Sequence, residues 1–528
     1  MPKKFNTTAI CIPERHYMVN TSNRIQQIVE ELVEQNKYFT INRARQYGKT
    51  TTLFRLKAAL QTDYYVAKIS FEGLGETARY ESGLVQIFVE EVGKQLRRTS
   101  LKKELLDGWC EPFTENASLT ALGNRITELC AESDREIVLM IDEVDAVSNN
   151  KLFLNFLGML RRKYISSNEG EDTTFKSVIL AGVYDIKNVQ IKMRTDEEHQ
   201  YNSPWNISAD FDIDLSFHAD EIAVMLNEYR DDYALDFDTA WFAGQIYNYT
   251  SGYPFLVSRL CWLLDEKVSR DPDFGTRRAA WTQAGFLRAV KLILKEQNTL
   301  FDDLNKKLDS NKQLKNLVYQ IAVCRKNVPF NLNDNLVKLG FMFGWLKELN
   351  GMTVISNRIF ETIICDKLIQ EKTTSRIYQA ADLEKYQMKT ASGLNMDEII
   401  DRFAAHYKSI YADRTSDFLE NEGRLIFLTF LKPIINGSGN YYMEPELFDK
   451  TRTDIVVDYQ GRQYIIEAKI WHGESYEQTG REQLCGYLKR YNQPVGWLLS
   501  FCFNAKKEKL TGTRTIEMDG KMIRETVV

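Results

Sequence analysis

The 528 residues are too many for one hydrophobic core, and this length predicts roughly two to four domains. Hydrophobic residues make up 44% and charged residues 27%, as in ordinary globular proteins, and the net charge of −5 excludes a generally basic surface, so nucleic acid would need a local basic patch. The eight scattered cysteines include no CxxC pair, which argues against a zinc site. No apolar run reaches membrane-spanning length, and MPKKFNTTAI has no signal-peptide core, so we expect a cytoplasmic protein outside the membrane.

The first motif in chain order is YFTINRARQYGKTTTL, at positions 38–53. Its alternating aromatic and β-branched residues predict a short buried strand, a polar turn follows, and helical spacing resumes at Leu53. Strand, turn, GK[ST] and helix are the layout of a phosphate-binding loop. Gly48 lets the backbone approach the phosphates, Lys49 supplies charge for the terminal phosphates, and Thr50 supplies a hydroxyl for Mg²⁺.

One position departs from the usual GxxxxGK[ST] pattern, because Arg43 stands where the first glycine is expected. Either the loop takes another path, or the Arg43 guanidinium itself reaches a phosphate; a chance GKT triplet in a surface turn is the alternative to both. Loop amides and the first helical turn are expected to surround the phosphates. The loop residues expected to bind nucleotide are Arg43, Gln46, Tyr47, Gly48, Lys49, Thr50 and Thr51.

The second motif is IVLMIDEVD at positions 137–145, where an apolar run leads into two carboxylates. Such a run predicts a parallel strand buried on both faces, and ligands bind at the C-terminal ends of these strands. We therefore expect Asp142 to hold Mg²⁺, mostly through water, and Glu143 to polarise the attacking water. The alternative is a strand end that is merely acidic. Strand and helix alternate over residues 37–190, as in an α/β nucleotide-binding core.

The middle of the chain contributes two further candidates. The run SVILAGV at 177–183 predicts a buried strand, and Asp185 follows it where it would lie beside the γ-phosphate. Helical patterns fill residues 219–296, and Arg259, in the helix behind GYPFLVSRL, is a candidate to fold back onto the nucleotide. Residues 300–370 suit a winged-helix unit, which binds DNA in some proteins and protein in others. The polar stretch 371–394 predicts a connection between two halves.

A second group of charges lies within TDIVVDYQGRQYIIEAK at positions 453–469. Gln460 and Gly461 predict a two-residue hairpin turn, which places Asp454 opposite Glu467 and leaves Lys469 on the same face. Charges inside apolar strands are costly unless they are paired or bind a metal. With Asp454 and Glu467 as Mg²⁺ ligands and Lys469 positioning or deprotonating water, the group suits phosphodiester cleavage. A Lys–Glu pair that only holds the hairpin is the alternative.

Outlying positions extend this second site. Glu422, at the start of the apolar helix predicted over 424–431, is a candidate third acidic ligand. Gln483 and Tyr487 stand four residues apart on one helix face, from which they are candidates to contact a phosphate or a base of nucleic acid. A capping or surface role is the alternative for each.

Together these segments resemble a bacterial family of AAA-like ATPases joined to a C-terminal PD-(D/E)xK nuclease-like domain. The segments are INRARQYGKTTTL, IVLMIDEVDAV, SVILAGVYDIKN, SPWNISADF, GYPFLVSRL, RTDIVVDYQGRQYIIEAKIW and REQLCGYL, and the resemblance covers essentially the whole chain. It implies a multidomain α/β fold with a P-loop NTPase parallel sheet of AAA+/STAND type, a helical lid and a winged helix, followed by an α/β restriction-endonuclease-like domain. The implied ATPase core, lid, winged-helix-like part, linker and nuclease-like domain span 1–215, 216–298, 299–370, 371–395 and 396–528.

The resemblance also implies residue roles. Lys49 and Thr50 look like Walker A, Asp142 and Glu143 look like Walker B, Asp185 looks like the sensor-1 region, and Arg259 looks like a lid arginine. Asp454, Glu467 and Lys469 look like the D…ExK triad, and Gln483 and Tyr487 are similar to the QxxxY motif of the RecB-like branch.

The main hypothesis is an ATPase, with ATP and Mg²⁺ as cofactors, that controls a metal-dependent nuclease acting on DNA or RNA. Assembly into a homo-oligomer stays open. The rival is a STAND-like, ATP-driven signalling switch whose nuclease-fold domain only binds a partner or nucleic acid. A plain DNA-binding ATPase with the winged helix as reader is a third reading, against which the net acidic charge argues mildly.

Overall fold

A computed structural model describes residues 2–72, 80–113, 117–144, 151–183, 204–323, 326–372, 374–411, 420–436, 438–442, 455–471, 473–502 and 511–528. Side chains are described in these ranges except at 204, 420–422 and 474–476. The chain forms two compact units. The first comprises Met1–Tyr229, Gly252–Ser258 and Met342–Gly344, and the second comprises Arg230–Ser251, Arg259–Phe341 and Trp345–Val528. Among the described helices, none is both long enough and apolar enough to cross a membrane.

The first unit is built on short parallel strands with helices between them. Its strands are β1 (Lys4–Phe5), β2 (His16–Tyr17), β3 (Phe39–Asn42), β4 (Tyr65–Ser70), β5 (Ile137–Asp142) and β6 (Ser177–Gly182). Its helices are α1 (Ser22–Ile28), which continues as a π-helical turn over Val29–Val33, then α2 (Lys49–Leu60), α3 (Glu81–Leu96), α4 (Lys103–Cys110), α5 (Leu119–Glu132), α6 (Lys151–Asn168), a 3-10 turn over Pro204–Ile207, and α7 (Ala219–Asp232), which ends in the second unit.

The central sheet of the first unit has the order β3-β6-β5-β4, with every neighbouring pair parallel. Its strands are apolar on both faces because helices cover both faces. Ile137, Leu139 and Ile141 of β5 pack into one hydrophobic cluster, whereas Val138 and Met140 pack into the other. This double burial is the reason for the continuous apolar run in the sequence. It also brings the C-terminal ends of β3 and β5 to the same edge of the sheet, separated by β6.

The second unit begins with helices and short strands. Its helices are α8 (Thr239–Thr250), α9 (Pro254–Trp262), whose first residues belong to the first unit, α10 (Arg277–Ala280), α11 (Gln283–Leu294), α12 (Thr299–Ser310), α13 (Lys312–Ala322), α14 (Asn335–Met342), α15 (Arg358–Gln370), α16 (Arg376–Glu384), α17 (Met396–Tyr411), α18 (Glu420–Ile435) and α19 (Glu474–Arg490), with π-helical and 3-10 turns over Leu263–Lys267 and Val268–Arg270. Its short strands are β7 (Leu346–Leu349), β8 (Met352–Ile355), β9 (Lys389–Thr390) and β10 (Gly393–Leu394).

A mixed six-stranded sheet ends the second unit, in the order β11-β12-β13-β14-β16-β15. Its strands are β11 (Gly439–Tyr442), β12 (Ile455–Tyr459), β13 (Arg462–Ile470), β14 (Val495–Phe501), β15 (Gly512–Met518) and β16 (Lys521–Val527). β13, β14 and β16 are parallel neighbours, while β11, β12 and β15 join antiparallel. Helix α19 packs against β13, β14 and β16.

Most elements predicted from sequence are confirmed, with small shifts at their ends. The strands predicted within 38–53, 137–145 and 177–183 form as β3, β5 and β6. Helix α4 was not predicted, because it is only eight residues long and buries little beyond Trp109. The polar stretch 371–394 contains helix α16 and the β9–β10 hairpin, and α16 packs against α18 through buried positions that include Ile377 and Ala381.

Candidate functional site

The loop between β3 and α2 has the backbone of an anion-binding turn. Gly48 is the N-cap of α2 with φ of +84°, in the left-handed region that favours glycine, and Gln46 also has a positive φ of +55°. Gly48 has no side chain that could cap the amino end of α2, so the backbone of this residue leads directly into the first helical amides. The amides of a first helical turn and the positive end of the helix dipole favour a phosphate at this position.

The Lys49 ammonium lies inside this loop. Its Nζ donates to the carbonyl oxygens of Arg43 and Ala44, at 3.0 and 2.9 Å, and the residue is 8% exposed. These acceptors belong to the loop itself, so the lysine holds the loop closed from within. The same ammonium is the group that the sequence predicted to contact terminal phosphates.

The Arg43 guanidinium is hydrogen-bonded to a segment far along the chain. It donates to the carbonyl oxygens of Phe211 and Ile213, at 3.1 and 2.9 Å, and lies 5.1 Å from the centre of the Phe211 ring. Burial lowers the pKa of this guanidinium, although arginine remains charged in proteins. Of the two roles considered for Arg43, the geometry describes a tie between the loop and the segment at 211–213.

Residues far along the sequence pack against the loop. The Tyr47 and Tyr253 rings meet edge to face with centroids 4.7 Å apart, and the Tyr253 hydroxyl donates to the carbonyl oxygen of Arg45. A Cβ at Gly344 would lie 2.7 Å from the Cβ of Ala44, so the backbone of that glycine also approaches the loop closely. Sequence reasoning missed Tyr253 and Gly344, because nothing local marks a contact across roughly 200 or 300 positions.

The acidic strand end lies at the edge where the loop begins. Asp142, the last residue of β5, is 4% exposed, and its Oδ2 lies 3.6 Å from the Nζ of Lys68 on β4. Glu143 has a positive φ of +55°, is exposed, and donates its amide to Oδ1 of Asp142 at 3.1 Å. The buried carboxylate therefore keeps a cation beside it, while the exposed one is available to solvent. Sequence reasoning missed Lys68, although the sequence indicates it: a lysine inside the apolar strand YVAKIS needs a partner of opposite charge.

These residues fit a nucleoside triphosphate with Mg²⁺. The first amides of α2 and the Lys49 ammonium match phosphate oxygens, and the Asp142 carboxylate and Thr50 hydroxyl are oxygen ligands of the kind that Mg²⁺ takes. Thr51, in the first turn of α2, accepts a hydrogen bond from the Cys11 amide at 3.3 Å, so its hydroxyl also ties the amino-terminal segment to the helix.

Two nucleotide-site predictions stand apart from this group. Asp185 lies outside the described residues. The Arg259 guanidinium donates to the Glu296 carboxylate at 2.7 Å and lies 4.2 Å from the centre of the Trp262 ring. Its role at the nucleotide stays a prediction.

The hairpin of the second site forms with the predicted turn and register. Gln460 and Gly461 have φ of +50° and +77°, and Tyr459 pairs with Arg462 at the base of the turn. The last described pair is Ile455 with Ile466. Asp454 itself lies outside the described residues, and so does the side chain of Glu422 in α18.

The described members of the second site come together beneath α19. The Nζ of Lys469 lies 3.6 Å from Oε1 of Glu467 and donates to Oε1 of Gln483 at 2.5 Å. Glu467 is 3% and Lys469 8% exposed. Tyr487, one turn beyond Gln483, is instead buried in the hydrophobic cluster that contains Leu484, so the two residues of the predicted pair differ in their surroundings.

A polar network that the sequence did not reveal lies on the same face of the sheet. The Ser500 hydroxyl donates to both carboxylate oxygens of Glu477, at 3.0 and 2.8 Å, and burial raises the pKa of Glu477. Arg481 donates from Nε to Oε2 of Glu525 at 2.7 Å. Since Lys469 and Ser500 are paired residues on β13 and β14, the network adjoins the second site. Among the described residues, no group of three or more His, Cys, Asp or Glu side chains is arranged to hold a metal.

Comparisons with solved structures give distant likenesses. A Walker-type ATPase of Pyrococcus abyssi is 14% identical, with a TM-score of 0.42 over 68% of this chain and 99% of that one. The RuvB Holliday junction branch migration motor of Thermotoga maritima is 12% identical, with a TM-score of 0.32 over 64% and 92%. ORC1 of Aeropyrum pernix, solved in complex with DNA, is 11% identical, with a TM-score of 0.32 over 67% and 94%.

No curated protein matches the chain. The family model described as an AAA-like domain matches residues 11–321, which is more than half of the sequence and includes the whole loop around Lys49 and the strand that ends at Asp142. The chain therefore belongs to the AAA-like domain family and carries an AAA-like P-loop ATPase domain in its N-terminal part.

Proposed function

We propose that this protein binds and hydrolyses ATP with Mg²⁺ at the Lys49 loop, and that nucleotide turnover controls a Mg²⁺-dependent phosphodiesterase site at Glu467 and Lys469 that acts on DNA or RNA. The observation that carries the proposal is the pairing of Lys469 with Glu467 and Gln483 on a buried sheet face, in a chain that also has an AAA-like ATPase domain. A buried lysine and carboxylate beside a helix glutamine suit a site built for chemistry on phosphate esters.

At the first site, each residue has a distinct task. The α2 amides and the Lys49 ammonium would bind the β- and γ-phosphates, which requires Lys49 to exchange its loop carbonyls for phosphate oxygens. Thr50 and Asp142 would hold Mg²⁺, which neutralises charge on the phosphates. Glu143, exposed at the strand end, would accept a proton from the attacking water.

At the second site, Glu467 and the predicted Asp454 would hold Mg²⁺, which would supply positive charge near the phosphate oxygens. Lys469 would orient the attacking water and offset negative charge on the phosphate oxygens. Gln483 holds the Lys469 ammonium in place through its side-chain carbonyl oxygen.

The decisive experiment incubates the full chain with plasmid, linear and single-stranded DNA and with RNA, with and without Mg²⁺ and ATP. Wild type is compared with Lys49→Ala, Lys469→Ala and the matched control Lys489→Ala, an exposed α19 lysine paired with Asp519 at the surface. We expect cleavage to vanish in Lys469→Ala with ATP hydrolysis intact, hydrolysis to vanish in Lys49→Ala, and Lys489→Ala to match wild type.

Each failure points to a different part of the proposal. Cleavage that persists in Lys469→Ala contradicts the assignment of the hairpin. Hydrolysis that persists in Lys49→Ala contradicts the phosphate loop. Intact hydrolysis without cleavage of any substrate contradicts the nuclease and leaves the signalling switch, with the second site as a binding module.

A further inference from the structure

The segment from Tyr249 to Pro254 contributes to both compact units. Tyr249 to Ser251 belong to the second unit, and Gly252 to Pro254 belong to the first. Tyr249 and Tyr253 are therefore only four positions apart, although each makes its contacts in a different unit. Four positions span at most about 14 Å even when fully extended, so a displacement at Tyr253 has only a short covalent path to Tyr249.

One end of the segment rests on the phosphate loop. The Tyr253 hydroxyl donates to the carbonyl oxygen of Arg45, and its ring packs against Tyr47. Pro254 also lies beside the loop, since a Cβ at Gly48 would be 3.9 Å from its Cγ. If the loop moves when phosphate binds, residues 253 and 254 would be displaced directly, because they contact the loop.

The middle of the segment is a turn with specific backbone geometry and hydrogen bonds. Ser251 and Gly252 have consecutive positive φ angles of +47° and +71°. The Gly252 carbonyl accepts from the Phe217 amide at 2.9 Å, and a Cβ at Gly252 would collide with the Phe217 carbonyl. The Ser251 hydroxyl accepts from Nζ of Lys347 at 2.9 Å. Ser251 and Gly252 are thus each hydrogen-bonded within their own unit.

The other end contacts the strand that pairs with the second-site strand. The buried Tyr249 hydroxyl donates to Oδ2 of Asp458 on β12 at 3.2 Å. The Arg358 guanidinium lies 5.4 Å from the Tyr249 ring and 4.8 Å from the ring of Tyr442. Asp458 is the register partner of Gln463 on β13, the strand that carries Glu467 and Lys469.

The polar contact at Asp458 is unusual for its surroundings. Burial raises the pKa of Asp458 to about 6, and burial also raises the pKa of Tyr249. A carboxylate and a phenol are costly to bury unless they are hydrogen-bonded. Losing the hydrogen bond between Tyr249 and Asp458 would therefore leave two buried polar groups without this contact.

We propose that residues 249–254 are the link through which occupancy of the phosphate loop is transmitted to the β12–β13 hairpin, with the Tyr249–Asp458 hydrogen bond as its last contact. The roles of the phosphate loop and of the β12–β13 hairpin rest on the proposed function. The link itself predicts a change in the hairpin on nucleotide binding, which can be measured without a nuclease substrate. Tyr249 and Asp458 are assigned a positioning role and no part in the chemistry of either site.

The test measures hydrogen exchange of the full chain with and without a non-hydrolysable ATP analogue, in peptides that cover residues 455–470. Wild type is compared with Tyr249→Phe, which keeps the ring and removes the hydroxyl, and with Asp458→Asn. Tyr441→Phe is the matched control, because Tyr441 is a buried tyrosine on the adjacent strand that donates to Asp366 at 2.9 Å. Nucleotide affinity is measured for every variant by titration.

We expect the analogue to change exchange at 455–470 in wild type and in Tyr441→Phe. In Tyr249→Phe and Asp458→Asn the change should shrink at least threefold, with nucleotide affinity within twofold of wild type. Nucleotide binding without any change at 455–470 in wild type would overturn the link alone, as would an undiminished change in both variants. Absence of nucleotide binding in wild type would instead overturn the proposed function and the link together.

Discussion

The two lysines that the sequence singled out are held in different ways. Lys49 donates to backbone carbonyl oxygens of its own loop, whereas Lys469 is held by the side chains of Gln483 and Glu467 beneath a helix. A backbone-held ammonium moves when the loop changes path, and a side-chain-held ammonium stays where packing puts it. The first region is therefore suited to respond to a ligand, and the second is suited to keep fixed geometry.

Gly252→Ala should have the largest effect, because it attacks the backbone contacts on which the first region depends. The left-handed φ of +71° costs about 1–2 kcal/mol for a residue with a Cβ, and collision with the Phe217 carbonyl adds about 1–3 kcal/mol. Urea denaturation followed by tryptophan fluorescence measures the loss. The control is Gly170→Ala, with φ of +78° and no atom within 4 Å of the added Cβ, which should lose only the first part. Equal losses in both variants would show that the close approach at Gly252 is unimportant.

Glu143→Gln comes next and tests whether the first region is catalytic as well as responsive. Removing a general base typically lowers a rate by about 100-fold or more, while nucleotide affinity should stay within a few-fold, since Asp142 and Lys49 remain. Steady-state hydrolysis and nucleotide titration separate the two quantities. Glu136→Gln is the control at the other end of β5, where Glu136 pairs with Lys176 at the surface. Hydrolysis at the wild-type rate in Glu143→Gln would remove that residue from the mechanism.

Asp458→Asn should change how stability depends on pH. The pKa of Asp458 is about 6 in the folded protein and about 3.9 in an unfolded chain, so the folded state binds more protons between these values. Rising pH therefore destabilises the wild type through this group, by up to about 3 kcal/mol across pH 4 to 7. The asparagine introduced in Asp458→Asn does not titrate, so the free energy of unfolding of the variant should lack this fall. The difference between variant and wild type should therefore shift in favour of the variant from about pH 4 to pH 7. Denaturation of both proteins at pH 4.5 and 7.5 measures the difference, and parallel pH profiles would contradict it.

Gln483→Leu should have a smaller effect and tests the rigidity of the second region. Losing the acceptor of a largely buried ammonium costs about 1–3 kcal/mol. The control is Gln478→Leu on the same helix, where the exposed amide donates to Glu482 and accepts from Arg481 at 3.3 Å, and the change should be within about 0.5 kcal/mol. Denaturation midpoints report both variants. If Gln483→Leu is as stable as the Gln478→Leu control, Lys469 is held by groups other than Gln483.

Local patterns were enough to predict part of this molecule. The apolar run that ends in Asp142 predicted β5 because a strand covered on both faces needs no polar alternation. The pair Gln460–Gly461 predicted the register of β12 with β13, because a two-residue turn leaves only one pairing. In both cases a few adjacent residues carry the whole signal.

Other features depend on residues that the fold brings from elsewhere in the chain. The acceptors of the Arg43 guanidinium lie at Phe211 and Ile213, far along the sequence, so no spacing rule suggests them. The contact of Tyr253 with the loop has the same character. The stretch 371–394 reads as a polar connection, yet α16 is held by small buried positions such as Ala381, which a count of large aliphatic residues overlooks.

Three hairpins of the second unit share one turn geometry. Asn350–Gly351, Gln460–Gly461 and Asp519–Gly520 each pair two consecutive positive φ angles between antiparallel strands. Hairpins closed by so short a loop form within about 1–10 μs, much faster than strands that are distant in sequence find each other. β12 with β13 and β15 with β16 can therefore pair early in folding. The slow step of the six-stranded sheet is then the parallel docking of β14 between these two preformed hairpins, which makes β14 the part of the sheet whose folding is exposed longest to competing association.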